Sequence, residues 1–169
     1  MATATKTKEP GVDFVKASYE GKIIVFHTRK PSSGKPFGTI IAIEGSPGMP
    51  FVVGWSKCKS KLDVFDSHSG IIIAVERAKR WKENPAKMKD LPHSMRPYID
   101  RFVLRCERFF MKNLGTIHDF IERNEATEDG VYDISNFCVM LVEKLGINAK
   151  FIADERTRLI GMRETVDPA

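Results

Sequence analysis

Four basic side chains recur at helical spacing in the stretch RPYIDRFVLRCERFFMK, residues 96–112. They are Arg101, Arg105, Arg108 and Lys112, at steps of four, three and four residues. At about 100° per residue these cations fall on one narrow line of a helix. The apolar side chains fall on a separate, broader face: Ile99, Phe102, Val103, Cys106, Phe109 and Phe110. The pattern predicts an amphipathic helix with one basic stripe.

A basic stripe of this kind either keeps a helix soluble or binds an anion. Like charges four residues apart repel by a few tenths of a kcal/mol, and arginine presents a planar fork that suits phosphate or carboxylate better than lysine does. Both points favour an anionic partner. Nucleic acid is the first expectation, and an acidic protein surface, including that of a host protein bound by an inhibitor or modulator, is the alternative.

Further residues are predicted to take part in the same binding. On the preceding helix, Arg77 and Arg80 extend the basic surface. Trp81, or Trp55, is available to stack on an unpaired base. Lys35 lies in a loop where it can touch an anionic ligand. No zinc-finger, RNP or GXXG sequence is present, so the sequence does not indicate a specific nucleic-acid-binding module.

The charges are unevenly distributed along the chain. The formal net charge is only +5. Residues 77–112 contain eleven Lys and Arg against four Asp and Glu, whereas residues 113–133 contain six Asp and Glu against one Arg. Two blocks of opposite sign favour charged partners, and they also allow a homo-oligomer held together by the opposite blocks.

Catalytic and metal-binding patterns are weak. The three cysteines and four histidines are scattered singly, so we expect no metal site and no cofactor. Cys58 as a nucleophile has no specific support. Carboxylates near turns, Glu20 with Asp13 and Asp63 with Asp66, leave a small metal-dependent nuclease as a second alternative. The sequence therefore favours a protein that is not an enzyme and has no catalytic residue.

Three strands are predicted in the first third of the chain. Apolar and β-branched runs at 19–29, 39–43 and 51–58 are separated by the turn-rich stretches PSSGKPFG and EGSPGMP. A hairpin and then a third antiparallel strand are the simplest arrangement. Helical periodicity begins near Ile71, with Asp66 or Ser67 as a cap, although the Ile71–Ile73 triplet also suits a strand.

The second half of the chain is predicted to be mainly helical. A linker at 84–92 precedes the basic helix, for which Pro97 suits the first turn. Helices are expected at 117–124 and around Phe137, Leu141 and Leu145 up to Gly146, followed by a strand at 147–153.

The predicted fold class is α+β, a small antiparallel β-sheet of three to four strands packed against three to four α-helices. We expect residues 1–12 to form a disordered tail, residues 13–160 a single domain and residues 161–169 a flexible tail. The odd, unpaired cysteine count suits a reducing cytoplasm, and no apolar run has the length of about 18 residues that a membrane span requires.

One segment resembles a known group of proteins. GWSKC and LDVFDSHSGIIIAVERA, residues 54–78, are similar to a pattern in small accessory proteins of tailed bacteriophages. The pattern's positions are Asp63, Phe65, Gly70, Ile73, Ala74, Arg77 and Ala78, and Ile71 replaces the basic residue that often follows the glycine. The resemblance implies a phage-encoded modulator acting inside a bacterium, and it implies no catalytic residue.

Overall fold

Three antiparallel strands form the centre of the molecule. The structure, a computed structural model, describes residues 19, 21–46, 49–59, 64–110, 137 and 139–166. The strands are β1 (Ile23–Arg29), β2 (Pro36–Ser46) and β3 (Met49–Lys57), in the order β1-β2-β3. Gly34, at φ +68°, supplies the left-handed residue of the β1–β2 turn. The predicted hairpin and third strand are confirmed, and β2 is longer than the sequence pattern indicated.

Helices cover both faces of this sheet. Helix α1 (Ser67–Glu83) packs on one face, where Ser56 Oγ donates a hydrogen bond to the Gly70 carbonyl oxygen at 2.9 Å. Gly54 allows this close approach, because a Cβ there would overlap the Ala74 carbonyl oxygen. A 3₁₀ helix (His93–Tyr98) and helix α2 (Ile99–Phe110) lie on the other face. Adjacent residues of a strand point to opposite faces of the sheet. Gly38 of β2 lies next to Met95 of the 3₁₀ helix, and Thr39 lies next to Gly70 of α1, so these two helices pack on opposite faces.

The β-branched Ile71–Ile73 triplet is helical. Asp66 caps α1, since its carboxylate accepts hydrogen bonds from the His68 backbone N–H at 3.0 Å and from Ser69 Oγ at 2.8 Å. These bonds, led by the one from Ser69, lower the pKa of Asp66. The cap fixes where the helix begins, and the apolar face of α1 then overrides the strand propensity of the triplet.

The end of the chain differs from the prediction. The strand expected at 147–153 is wrong, because residues 149–153 form the beginning of helix α3 (Ala149–Val166). Asn148 caps α3 by accepting a hydrogen bond from the Phe151 N–H at 3.1 Å, and its own N–H donates to Asp100 Oδ1 at 2.7 Å. Before it, Met140–Lys144 form a π-helical turn, and Gly146, at φ +66°, ends this helical stretch as predicted.

Other predictions for this half of the chain are met in part. The linker contains a short 3₁₀ helix, Pro85–Lys87. Pro97 lies in the 3₁₀ helix before α2 and not in the first turn of α2 itself. The helix predicted at 117–124 lies outside the described residues. None of the helices that the structure describes is long and apolar enough to cross a membrane.

Candidate nucleic-acid interface

The arginines of the predicted stripe lie in solvent along one side of α2. The exposed positions of this helix are Arg101, Arg105, Arg108 and Phe109. At about 100° per residue the three guanidinium-bearing positions fall within about 60° of the helix circumference and span roughly 10 Å along its axis. We call these three residues the arginine stripe. Lys112, the predicted fourth member, lies outside the described residues.

The opposite side of α2 fixes the stripe in place by packing on the sheet. Phe102 packs on Phe26 of β1 with ring centroids 6.3 Å apart, and Phe110 stacks on Phe51 of β3 at 5.8 Å. Cys106, predicted to be a core residue, is fully buried, and this burial raises the pKa of its thiol. Because both ends of the helix are held by aromatic contacts, its rotation about its own axis is fixed.

The stripe arginines are not neutralised within the part of the chain that the structure describes. None of the three forms an ion pair or a hydrogen bond there. The neighbouring carboxylates point elsewhere, since Asp100 is bonded to the Asn148 N–H and Glu107 is fully buried. The burial of Glu107 keeps its carboxylate off this surface.

Phe109 adds an apolar element to the stripe. Its side chain is 44% exposed, and its ring packs edge-on against Phe110 with centroids 5.0 Å apart. Exposed aromatic rings beside guanidinium groups occur on surfaces that bind unpaired bases, because the ring face stacks while the cation binds phosphate. Helical periodicity predicted Phe109 on the buried face, and only the packing of α2 shows that it lies at the solvent edge.

The basic residues of α1 do not extend the stripe. Helix α1, which carries Arg77 and Arg80, lies across the sheet from α2. Arg80 is exposed there, whereas Arg77 donates a hydrogen bond to the Trp55 carbonyl oxygen at 2.9 Å and lies over the Trp55 ring at 5.1 Å. Burial and the nearby Arg80 charge lower the pKa of Arg77. Its guanidinium is used within the fold.

Trp81 lies in the core. Only 6% of the residue is exposed, and its ring packs on Trp55 with centroids 6.0 Å apart. A buried indole cannot offer a face to a base, so the structure leaves Trp81 out of the candidate surface. Trp55 is half-buried and its ring is covered by Arg77. Periodicity placed both tryptophans near basic residues but could not show that they pack on each other.

Lys35 belongs to a second basic site at the start of α2. Its side chain is exposed in the β1–β2 loop and lines a groove with a volume of about 610 Å³. The groove also contains Pro97 and Tyr98, the residues immediately before α2. Arg101 follows Tyr98 by three residues, about one helical turn, so the groove adjoins one end of the arginine stripe.

The carboxylates considered for a nuclease do not form a site here. Asp66 caps α1, and Asp13, Glu20 and Asp63 lie outside the described residues. No group of three or more His, Cys, Asp or Glu side chains with a metal-binding arrangement occurs among the residues for which the structure gives positions. The nuclease alternative therefore gains no support from the geometry.

Comparisons of the chain with models of protein families, with curated proteins and with solved structures gave no match. The resemblance of residues 54–78 to phage accessory proteins stays a prediction. The function must therefore be argued from the geometry and charge of the surface itself.

Proposed function

We propose that this protein binds nucleic acid through the arginine stripe of α2 and is not an enzyme. The observation that carries the proposal is the composition of the exposed side of this helix. Its four exposed positions are three arginines and a phenylalanine, and the arginines have no ionic partner among the described residues. Such a surface offers guanidinium groups for phosphate and an aromatic ring for a base, and none of the exposed positions described for this helix is a carboxylate.

A purely solubilising role explains this composition less well. A solvated helix face commonly alternates cations and anions, since i, i+4 pairs of opposite sign stabilise a helix by about 0.2–0.5 kcal/mol and like pairs cost a similar amount. Here Arg101 and Arg105 are a like pair, and the one acid between Arg105 and Arg108, Glu107, is buried. An anionic ligand offsets this repulsion when it binds.

Arginine suits phosphate for geometric reasons. Each guanidinium presents five N–H donors in a rigid plane and donates two parallel hydrogen bonds to one phosphate, and these charge-assisted bonds are roughly twice as strong as neutral ones. The stripe spans roughly 10 Å, so its guanidinium groups can contact more than one phosphate of a strand. The fixed packing of α2 holds the row in place before binding, which lowers the entropy cost.

Salt dependence tests this proposal. We expect the full-length protein to bind a fluorescein-labelled single-stranded or duplex oligonucleotide with an affinity that falls steeply as salt rises, measured by fluorescence anisotropy. Three arginine–phosphate contacts predict a slope of log K on log salt of about −2 for a single strand and closer to −3 for a duplex, and any further contacts steepen it. Absence of binding to both ligands, or affinity independent of salt, would overturn the proposal and favour an acidic protein partner.

A further inference from the structure

The groove beside the stripe is built from residues far apart in the sequence. Its walls come from the β1–β2 loop, the end of β3, the residues before α1 and the 3₁₀ helix before α2. The lining is mainly apolar: Pro31, Pro36, Phe37, Val64, Phe65, Pro97 and Tyr98. Its volume of about 610 Å³ is within the range of small-ligand sites.

Three aromatic rings line this groove, those of Phe37, Phe65 and Tyr98. Phe37 is 8% exposed and lies at the floor, whereas Phe65 and Tyr98 are half-buried and keep part of each ring open. The Tyr98 hydroxyl donates to the Arg29 carbonyl oxygen, and the Phe65 ring packs edge-on against His27 with centroids 5.4 Å apart. Because these contacts hold the rings in position, a ligand that stacks on them orders few side chains.

The rim of the groove is basic. Lys30, Lys35 and Lys57 are all exposed, and none of the described lining residues is acidic. Asp66 lines the adjoining cavity, where its carboxylate accepts the capping hydrogen bonds of α1. The site therefore suits a ligand that combines an apolar, flat part with negative charge.

We infer that the groove receives an unpaired base of single-stranded nucleic acid, with Phe65 and Tyr98 stacking on the base and the rim lysines contacting its flanking phosphates. This inference rests on the proposed function and specifies its ligand. Position favours it, since the groove adjoins the Arg101 end of the stripe, so one strand can follow both. Chemistry favours it as well, because every base has a flat face for stacking and a duplex keeps its bases inside the helix.

Abasic oligonucleotides separate the two parts of this surface. We expect an oligothymidylate of about 12 nucleotides to bind the full chain at least about tenfold more tightly than an abasic sugar-phosphate strand of the same length, since base stacking on aromatic side chains adds to phosphate binding. The Phe65→Ala variant should lose most of that preference while keeping the salt slope measured on the abasic strand. The Val142→Ala variant is the matched control, because Val142 is 51% exposed, lies outside the groove and has no ring.

A second variant covers the case in which Phe65→Ala unfolds the protein. Tyr98→Leu removes the other half-buried ring and should also lose most of the preference for the oligothymidylate. Separately, Lys35→Gln on the exposed loop should lower the magnitude of the salt slope for the oligothymidylate by about 0.7. Equal affinity for the two strands, or a preference that survives removal of either ring, would overturn the groove assignment and leave the stripe intact. Binding of neither strand would overturn both.

Discussion

Reversing two charges of the arginine stripe, Arg105→Glu together with Arg108→Glu, is expected to weaken nucleic-acid binding by at least about a hundredfold at low salt. Hydrogen bonds to charged groups contribute about 1.5–3 kcal/mol each, and the new carboxylates also repel phosphate. Two lost contacts therefore exceed about 3 kcal/mol, which corresponds to more than two factors of ten in affinity. Fluorescence anisotropy with whichever oligonucleotide the wild-type protein binds more tightly measures the change.

The matched control changes the net charge equally on the other side of the sheet. Lys79→Glu with Arg80→Glu also replaces two exposed cations, on α1, and should weaken binding far less. Both double variants should stay folded, since substitutions at exposed positions usually change the free energy of unfolding by less than about 0.5 kcal/mol. Equal losses of affinity in the two variants would show that net charge, and not the stripe, governs binding.

Truncating one ring beneath α2 is expected to have the largest effect on stability. Phe51 is fully buried, packs edge-on against Phe137 with centroids 5.3 Å apart and stacks on Phe110. Phe51→Ala should lower the free energy of unfolding by about 3–5 kcal/mol, because burial is lost and a cavity remains where α2 meets β3. Urea denaturation followed by circular dichroism gives this value.

Urea denaturation of two further variants tests whether the lost buried volume at Phe51 causes this destabilisation. Phe51→Leu keeps most of the buried volume and should cost clearly less than Phe51→Ala. Ile73→Ala removes an apolar side chain that is 42% exposed and should have a small effect. A loss below about 1 kcal/mol for Phe51→Ala would mean that α2 is not held by this aromatic contact, and the fixed orientation of the stripe would lose its support.

The sequence was most informative where a pattern is local. The turn residues between β1 and β2 predicted the hairpin, and the 3.6-residue period predicted both the buried face of α2 and the exposure of Arg101, Arg105 and Arg108. Each of these inferences depends on backbone geometry within a few residues. Such geometry is decided by the segment itself, so it can be predicted from the sequence.

The errors arose where contacts distant in sequence decide the outcome. Residues 147–153 looked like a strand, but Asp100, 48 positions before Asn148, accepts the Asn148 N–H at the start of α3. The sequence pattern predicted Trp81 on the binding surface, but Trp81 packs on Trp55 in the core. A periodicity argument gives directions relative to one helix axis, and it does not say which neighbour lies in each direction.

The groove could not be predicted for the same reason. Its lysines and aromatic residues come from four separate segments, and none of these segments has a recognisable motif of its own. The available signal was a recurrence of Pro, Lys and aromatic residues in three connecting stretches, around residues 30–37, 57–65 and 94–98. Only the pairing of β1, β2 and β3 brings these stretches to one edge of the molecule.

Chemical protection of individual arginines shows whether nucleic acid binds on the arginine stripe. The full-length protein is labelled with phenylglyoxal, which modifies arginine, with and without a saturating oligonucleotide, and the modified positions are mapped by mass spectrometry. We expect bound nucleic acid to protect Arg101, Arg105 and Arg108, whereas Arg80, exposed across the sheet, should be labelled equally in both samples. Unchanged labelling of the three stripe arginines in the saturated sample would contradict binding at the stripe.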